Sequence, residues 1–243
     1  MAVRRAVALR LDVLLESACR HPEDFANLAQ TFHEGGYRVE VALMAVPAGL
    51  SRLGILTRFY RRRTPEEGES TSPSSQRGSL SLAGRLTPKK VHDDSYEGLL
   101  HAAEFIDESD AVDQVVLVRR DNLVVYADER SEDGAWKQQT LGGQGRVGGT
   151  AEALRRERRR PLTEGERAAA VKYLSQLRKI ERGSSSDLLV QLADVESLLK
   201  SLFTETVAGN DESFPEASPL VLPSKTGLLA DEVDSHVDLR LGT

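Results

Sequence analysis

The chain of 243 residues lacks several features that define common protein classes. It has a single cysteine, Cys19, which excludes an intramolecular disulfide and fits a reducing cytoplasm. No run of about 18 apolar residues occurs, so the sequence predicts no membrane span. Aromatic residues make up only 5% of the chain, which indicates a modest core. With 32 basic and 38 acidic residues the net charge is −6, so no overall field favours nucleic acid or a membrane surface.

Motifs that bind phosphates or metals are also scarce. No GxxxxGK[ST] segment occurs, so the nest of backbone amides that such a loop supplies is missing from the sequence. Gly143, Gly145 and Gly148 match the GxGxxG spacing, but a polar segment precedes them, and we interpret them as part of a linker. His92 and His101 are nine residues apart, which does not suit a helical metal pair, so no metal site is predicted.

The first 60 residues show a regular alternation of strand and helix patterns. Leu11–Leu15 predicts a short strand, and a helix should begin at Pro22 and end at Gly35. Tyr37–Val46 predicts a second strand, whose apolar second half indicates burial on both faces. Strand, helix and strand within about 35 residues predict a parallel βαβ unit, followed by a helix that starts at Pro47.

The rest of the chain divides into a polar loop, a hairpin and several helices. Residues 64–84 are polar and predict a flexible loop, after which Thr87 and Pro88 start a helix. Val115–Arg119 and Leu123–Tyr126 predict two antiparallel strands. Three further helices are expected at Ala151–Arg159, Thr163–Glu181 and Ser186–Thr204, with a disordered tail beyond Ala208.

Four charged residues are candidates for a functional site. Glu16 and Arg20 should lie just past the carboxyl end of a parallel strand, where open α/β sheets place ligands. Arg58 lies on the helix after the next strand, and Arg85 lies between a polar loop and a helix start. An arginine on a mobile segment is suited to neutralise charge on a transferred phosphoryl group. The residues alone leave a second interpretation open, that of ordinary surface charges.

The basic run from Arg155 to Arg160 also allows two interpretations. It could bind an anionic partner, or it could be the solvated face of a helix, and the net acidity of the chain favours the solvated face.

Several of these segments together resemble the zeta toxin family. The resemblance rests on residues 16–20 (ESACR), 44–47 (MAVP), 53–60 (LGILTRFY) and 85–89 (RLTPK), and on the hairpin from Arg119 to Tyr126. These segments keep the order and spacing of the family from about Leu11 to Tyr126. Ala18 departs from the pattern, because many members have a threonine there.

The resemblance implies a P-loop kinase fold and an activity. Members of the family use ATP and magnesium to phosphorylate the sugar 3′-hydroxyl of UDP-N-acetylglucosamine, and they pair with antitoxin proteins. The resemblance places Glu16 and Arg20 on the substrate side and gives Arg58 and Arg85 contacts with the transferred phosphate. No residue of this sequence corresponds to the phosphate-loop lysine or the catalytic aspartate, so we expect an N-terminally truncated and inactive kinase in the cytoplasm. The alternative is a non-catalytic module that binds a sugar nucleotide or an antitoxin.

The fold expected is therefore α/β, a remnant of a P-loop-kinase-like parallel sheet flanked by helices, with a C-terminal antiparallel hairpin and a helical extension. Residues 1–140 should form the kinase-like portion, 141–207 the helical extension and 208–243 the disordered tail. Because the phosphate-loop strand would lie between Leu11–Leu15 and Val39–Val46, we predict that these two segments pair directly. Val115–Arg119 should flank Val39–Val46 on its other side, with Leu123–Tyr126 antiparallel beyond.

Overall fold

A computed structural model describes residues 2–61, 86–120, 122–131, 133–138, 148–181, 186–204 and 218–219. The helices are α1 (Ala2–Ala8), α2 (Pro22–Glu34), α3 (Ala48–Arg61), α4 (Lys89–Glu108), α5 (Thr150–Arg159), α6 (Glu164–Glu181) and α7 (Ser186–Thr204). The strands are β1 (Glu40–Met44), β2 (Gln114–Val118), β3 (Leu123–Arg130), β4 (Trp136–Gln138) and β5 (Ser218–Pro219). None of these helices is long and apolar enough to cross a membrane.

The described strands form one mixed sheet in the order β1-β2-β3-β4. β1 and β2 are parallel, with Glu40 opposite Gln114 and Met44 opposite Val118. β3 is antiparallel to β2, β4 is antiparallel to β3, and the two residues of β5 also pair with β3. The α/β class, the parallel neighbour of β1 and the antiparallel strand beyond it are thus confirmed.

The predicted strand Leu11–Leu15 is wrong, and so is its direct pairing with Val39–Val46. Residues 11–19 form no strand and make no ladder, and Leu14 is 92% exposed. The two ends of this segment are held away from the sheet. At one end Arg10 donates from Nη1 to the Gly35 carbonyl, and at the other the Cys19 carbonyl lies against Gly98 in α4. The βαβ unit is accordingly built from β1 and β2, not from Leu11–Leu15.

β1 is consequently an edge strand within the described residues. Ala42 and Met44 are exposed, so the prediction that this strand is buried on both faces is also wrong. The apolar run from Val41 to Val46 is typical of a central parallel strand, which is buried on both faces. Among the described strands, however, β1 pairs with β2 alone.

Two clusters of buried side chains hold the helices in place. The first lies between the sheet and helices α2, α4 and α5, and it includes Leu43, Ile106, Leu117 and Leu154. The second joins α3 to α6 and α7 through leucines at positions 50, 53, 56, 177, 188, 192 and 199. Helix α3, which follows β1, therefore carries the cluster to which α6 and α7 attach.

Candidate functional site

The segment that carries Glu16 and Arg20 is fixed to α4 by its last residues. Glu16 is exposed, whereas Cys19 is buried in a left-handed conformation with φ of 48°. The backbone N–H of Cys19 donates to Ser17 Oγ at 3.0 Å. Gly98 allows the close approach, because a Cβ built there would lie 1.8 Å from the Cys19 carbonyl oxygen.

Arg20 extends this attachment with an ion pair. Its Nε lies 3.6 Å from Asp94 Oδ2, and 45% of its side chain stays exposed. The hydrogen-bonded Lys90 ammonium, followed by Arg20, holds the pKa of Asp94 below its usual value. Arg20 is thus oriented by α4 while remaining accessible. Glu16 lies within the unpaired segment and Arg20 directly follows it, so neither comes after a strand as the sequence predicted.

Arg58 lies in a different neighbourhood, at the carboxyl end of the sheet. It is exposed on α3, and the side chain nearby is Arg120, which follows β2. Burial first, and then the positive charge of Arg58, lower the pKa of Arg120. Gly54, one turn before Arg58, makes room, because a Cβ there would lie 2.3 Å from Arg120 Nη2. Two guanidinium groups therefore face the same region, where the charge of an anion would relieve their repulsion.

The four residues predicted from sequence do not all come together. No hydrogen bond or ion pair joins Arg58 to Glu16 or Arg20 among the residues that the structure describes. Arg85 and the predicted flexible loop at 64–84 lie outside the described residues. Arg120 is the cation that sequence reasoning missed, and the signal that could have found it is its position just after a buried strand.

Polar contacts from α4 and α7 hold α3 in place. His92 is buried on α4, with Nε2 at 3.1 Å from Ser51 Oγ and Nδ1 at 2.9 Å from Asp93 Oδ1. Arg52, only 5% exposed, lies between Asp93 at 3.7 Å and Asp194 at 3.6 Å. These contacts tie α3 to α4 and α7, so they fix the helix that carries Arg58.

The residue before Arg120 belongs to a buried network of charges. Arg119 donates from Nη2 to Glu157 Oε2 at 3.0 Å, and Arg160 also pairs with Glu157. Arg160 then donates from Nη1 to Glu166 Oε2 at 2.6 Å. Glu166 and Thr163 form a capping box at the start of α6. The basic run of α5 is therefore not a solvated face at Arg160, which is 4% exposed.

In the described part of the glycine-rich segment, the N–H groups at the start of α5 are not free to bind a dinucleotide. The carboxylate of Asp107 accepts hydrogen bonds from the N–H groups of Thr150 at 2.7 Å and Ala151 at 2.9 Å. The helix start that a pyrophosphate would use is thus capped by the protein itself. Of the three glycines, only Gly148 lies in the described residues, in a positive-φ conformation.

Two features of a nucleotide site that can be checked directly are a metal-binding cluster and a phosphate loop. No group of three or more His, Cys, Asp or Glu side chains within them could hold a metal ion. The 243-residue sequence also has no phosphate loop to cradle a nucleotide.

A mixed α/β sheet flanked by helices, with Arg120 just past the carboxyl end of the parallel strand β2, fits a P-loop-kinase-like domain. The family model described as Zeta toxin matches residues 1–131, more than half of the chain. The chain therefore belongs to the zeta toxin family, which is a family of P-loop-kinase-like phosphotransferases. No curated protein matches the chain.

Proposed function

We propose that the chain binds UDP-N-acetylglucosamine as a zeta-toxin-like phosphotransferase domain. In this proposal Glu16 and Arg20 contact the sugar nucleotide, and Arg58 and Arg85 contact the phosphate. The observation that supports it is the pair Arg58 and Arg120, since two neighbouring guanidinium groups at this end of a parallel sheet suit a phosphate. Arg85 enters through family resemblance alone.

Phosphoryl transfer by this chain needs more than these cations. The rate of such reactions rests on a positioned metal, a lysine and a residue that orients the nucleophile. The described residues include no group of three or more His, Cys, Asp or Glu side chains that could hold a metal ion, and the sequence has no phosphate loop. These two observations favour a second candidate, a module that binds the sugar nucleotide, or an antitoxin protein, without catalysis.

Calorimetric titration of the purified 243-residue chain with UDP-N-acetylglucosamine tests the binding. We expect Arg58→Gln and Arg120→Gln each to weaken binding by roughly ten-fold or more, because a charge-assisted hydrogen bond is worth about 1.5–3 kcal/mol. Arg178→Gln is the matched control, since Arg178 lies on α6 and pairs with Glu196 at 2.6 Å. Absence of heat with the unaltered chain would refute the proposal.

A second measurement separates the two candidates. With radiolabelled ATP, magnesium and the same sugar nucleotide, the binding module gives no labelled sugar product. Clear turnover that is lost in Arg58→Gln would instead establish the kinase.

A further inference from the structure

A cleft of about 500 Å³ opens between α3, α4, α5 and α7. Its walls include the first turn of α3, at Ala48 and Gly49, and three arginines of α5, Arg155, Arg158 and Arg159. The volume lies in the range of small-molecule sites, which is roughly 300–1,000 Å³. Arg58 and Arg120 do not line it, so this cleft is separate from the site proposed above.

Arg158 is held in the cleft with part of its hydrogen-bonding capacity unused. Its Cζ atom lies 3.6 Å from the centroid of the Tyr96 ring, a cation–π contact that fixes the guanidinium plane. Its Nε and Nη2 atoms are buried and have no hydrogen-bond partner among the described residues. Two adjacent nitrogens of this kind form the edge of a guanidinium that binds two oxygens of one oxyanion.

The other groups around the cleft also favour an anionic ligand. Arg159 is exposed and makes no ion pair with any described residue, whereas Arg155 is paired with Glu104. The Tyr96 hydroxyl donates to the Val46 carbonyl at 3.1 Å and accepts from the Ala48 N–H, which fixes the aromatic ring at the start of α3. The positive end of the α3 dipole faces the same space.

We infer that this cleft binds a phosphate or diphosphate group of a small molecule. Arg158 and Arg159 supply the charge, and the start of α3 adds the positive end of its dipole. A long nucleic acid is not favoured, because Glu97 lines the same cleft and Glu104 already neutralises Arg155. The arginines concerned lie beyond residues 1–131, which match the zeta toxin family model, and they are not among the residues that the proposed function uses.

Calorimetric titration of the whole chain with inorganic pyrophosphate tests the inference. We expect Arg158→Gln and Arg159→Gln each to weaken binding at least ten-fold. Arg156→Gln is the matched control, because it removes the same charge from the same helix at a position that does not line the cleft. Arg159 is exposed, so its substitution should leave the melting temperature unchanged even if Arg158→Gln lowers it.

The following outcomes would overturn the inference. The first is no binding of pyrophosphate by the unaltered chain, or binding that sodium sulfate at equal concentration abolishes. The second is equal weakening in Arg156→Gln, which would indicate a general charge effect. The third is weakening in Arg58→Gln alone, which would assign the anion to the other pair of arginines. A single-stranded RNA that binds more tightly than pyrophosphate, with a steep dependence on salt, would point to nucleic acid instead.

Discussion

Gly54 shows how the absence of one side chain positions the charge of another. The Arg120 guanidinium packs against the backbone of α3 at this glycine, one helical turn from Arg58. A glycine inside a helix costs roughly 0.5–1 kcal/mol relative to alanine, so its presence at this position fits a need for space.

Gly54→Ala should therefore weaken ligand binding while leaving the stability of the fold almost unchanged. The added Cβ displaces the flexible end of Arg120, while the alanine favours the helix, so we expect the free energy of unfolding to change by less than about 1 kcal/mol. Affinity for UDP-N-acetylglucosamine should fall several-fold, as measured by calorimetry. Gly165→Ala in α6 is the control, because a Cβ there meets no atom within 4 Å. Unchanged affinity in Gly54→Ala would show that the position of Arg120 is irrelevant to the ligand.

Glu166 gives a prediction about pH. Burial alone would raise its pKa, but hydrogen bonds from Arg160 and from the Thr163 N–H outweigh burial and hold the pKa below its usual value. A lowered pKa in the folded state contributes stability above the unfolded value of about 4.3 and loses it as the pH falls through the folded value. The chain should therefore lose stability below about pH 4.3, and Glu166→Gln should flatten this dependence. Urea unfolding at several pH values checks it, with exposed Glu164→Gln as the control. Parallel pH profiles for the unaltered chain and Glu166→Gln would contradict the prediction.

At the scale of elements, the segment at residues 11–19, which pairs with no strand, is held by its ends. Its side chains contribute little, since Leu11, Leu14 and Leu15 are all at least 51% exposed. The close contact between the Cys19 carbonyl and Gly98 is what docks the segment on α4.

Gly98→Ala should release this segment. A Cβ at position 98 would lie 1.8 Å from a backbone oxygen, which a side-chain rotation cannot relieve. Cys19 reports the release, because it is the single cysteine and burial raises the pKa of its thiol, which keeps it unreactive. We expect the rate of labelling by a thiol reagent to rise at least ten-fold in Gly98→Ala and to stay unchanged in Gly165→Ala. Equal labelling rates in all three proteins would show that Gly98 does not hold the segment.

The elements that sequence predicted well are those with strong local signals. Pro22 and Gly35 set the limits of α2, and two short apolar runs separated by a polar turn located β2 and β3. The failures concern long-range pairing. Leu11–Leu15 has the composition of a strand, but a strand also needs a partner, and the anchors at Gly35 and Gly98 are invisible to local patterns. The position of Arg120 likewise depends on a glycine 66 residues earlier in the chain.

At the scale of the whole molecule, the two buried clusters are physically connected. β1 leads directly into α3, so Ala45 belongs to the first cluster and Val46 to the second. The charge network adds a second connection, because Arg119 follows β2 while Arg160 and Glu166 lie at the junction of α5 and α6. Separating the clusters would leave these buried charges without partners, which costs about 3–5 kcal/mol per broken pair.

We therefore expect the described core to unfold in one cooperative transition. Leu188 is fully buried in the second cluster, so Leu188→Ala should lower the free energy of unfolding by about 2–5 kcal/mol. Trp136, the single tryptophan, packs against the first cluster and is an independent reporter. In urea unfolding of Leu188→Ala, tryptophan fluorescence and far-UV circular dichroism should shift to the same lower midpoint. Leu189→Ala is the matched control, because Leu189 is 50% exposed on the same helix and should change the midpoint little. If the dichroism midpoint moved while the fluorescence midpoint stayed in place, the two clusters would unfold separately, and the charge network would not couple them.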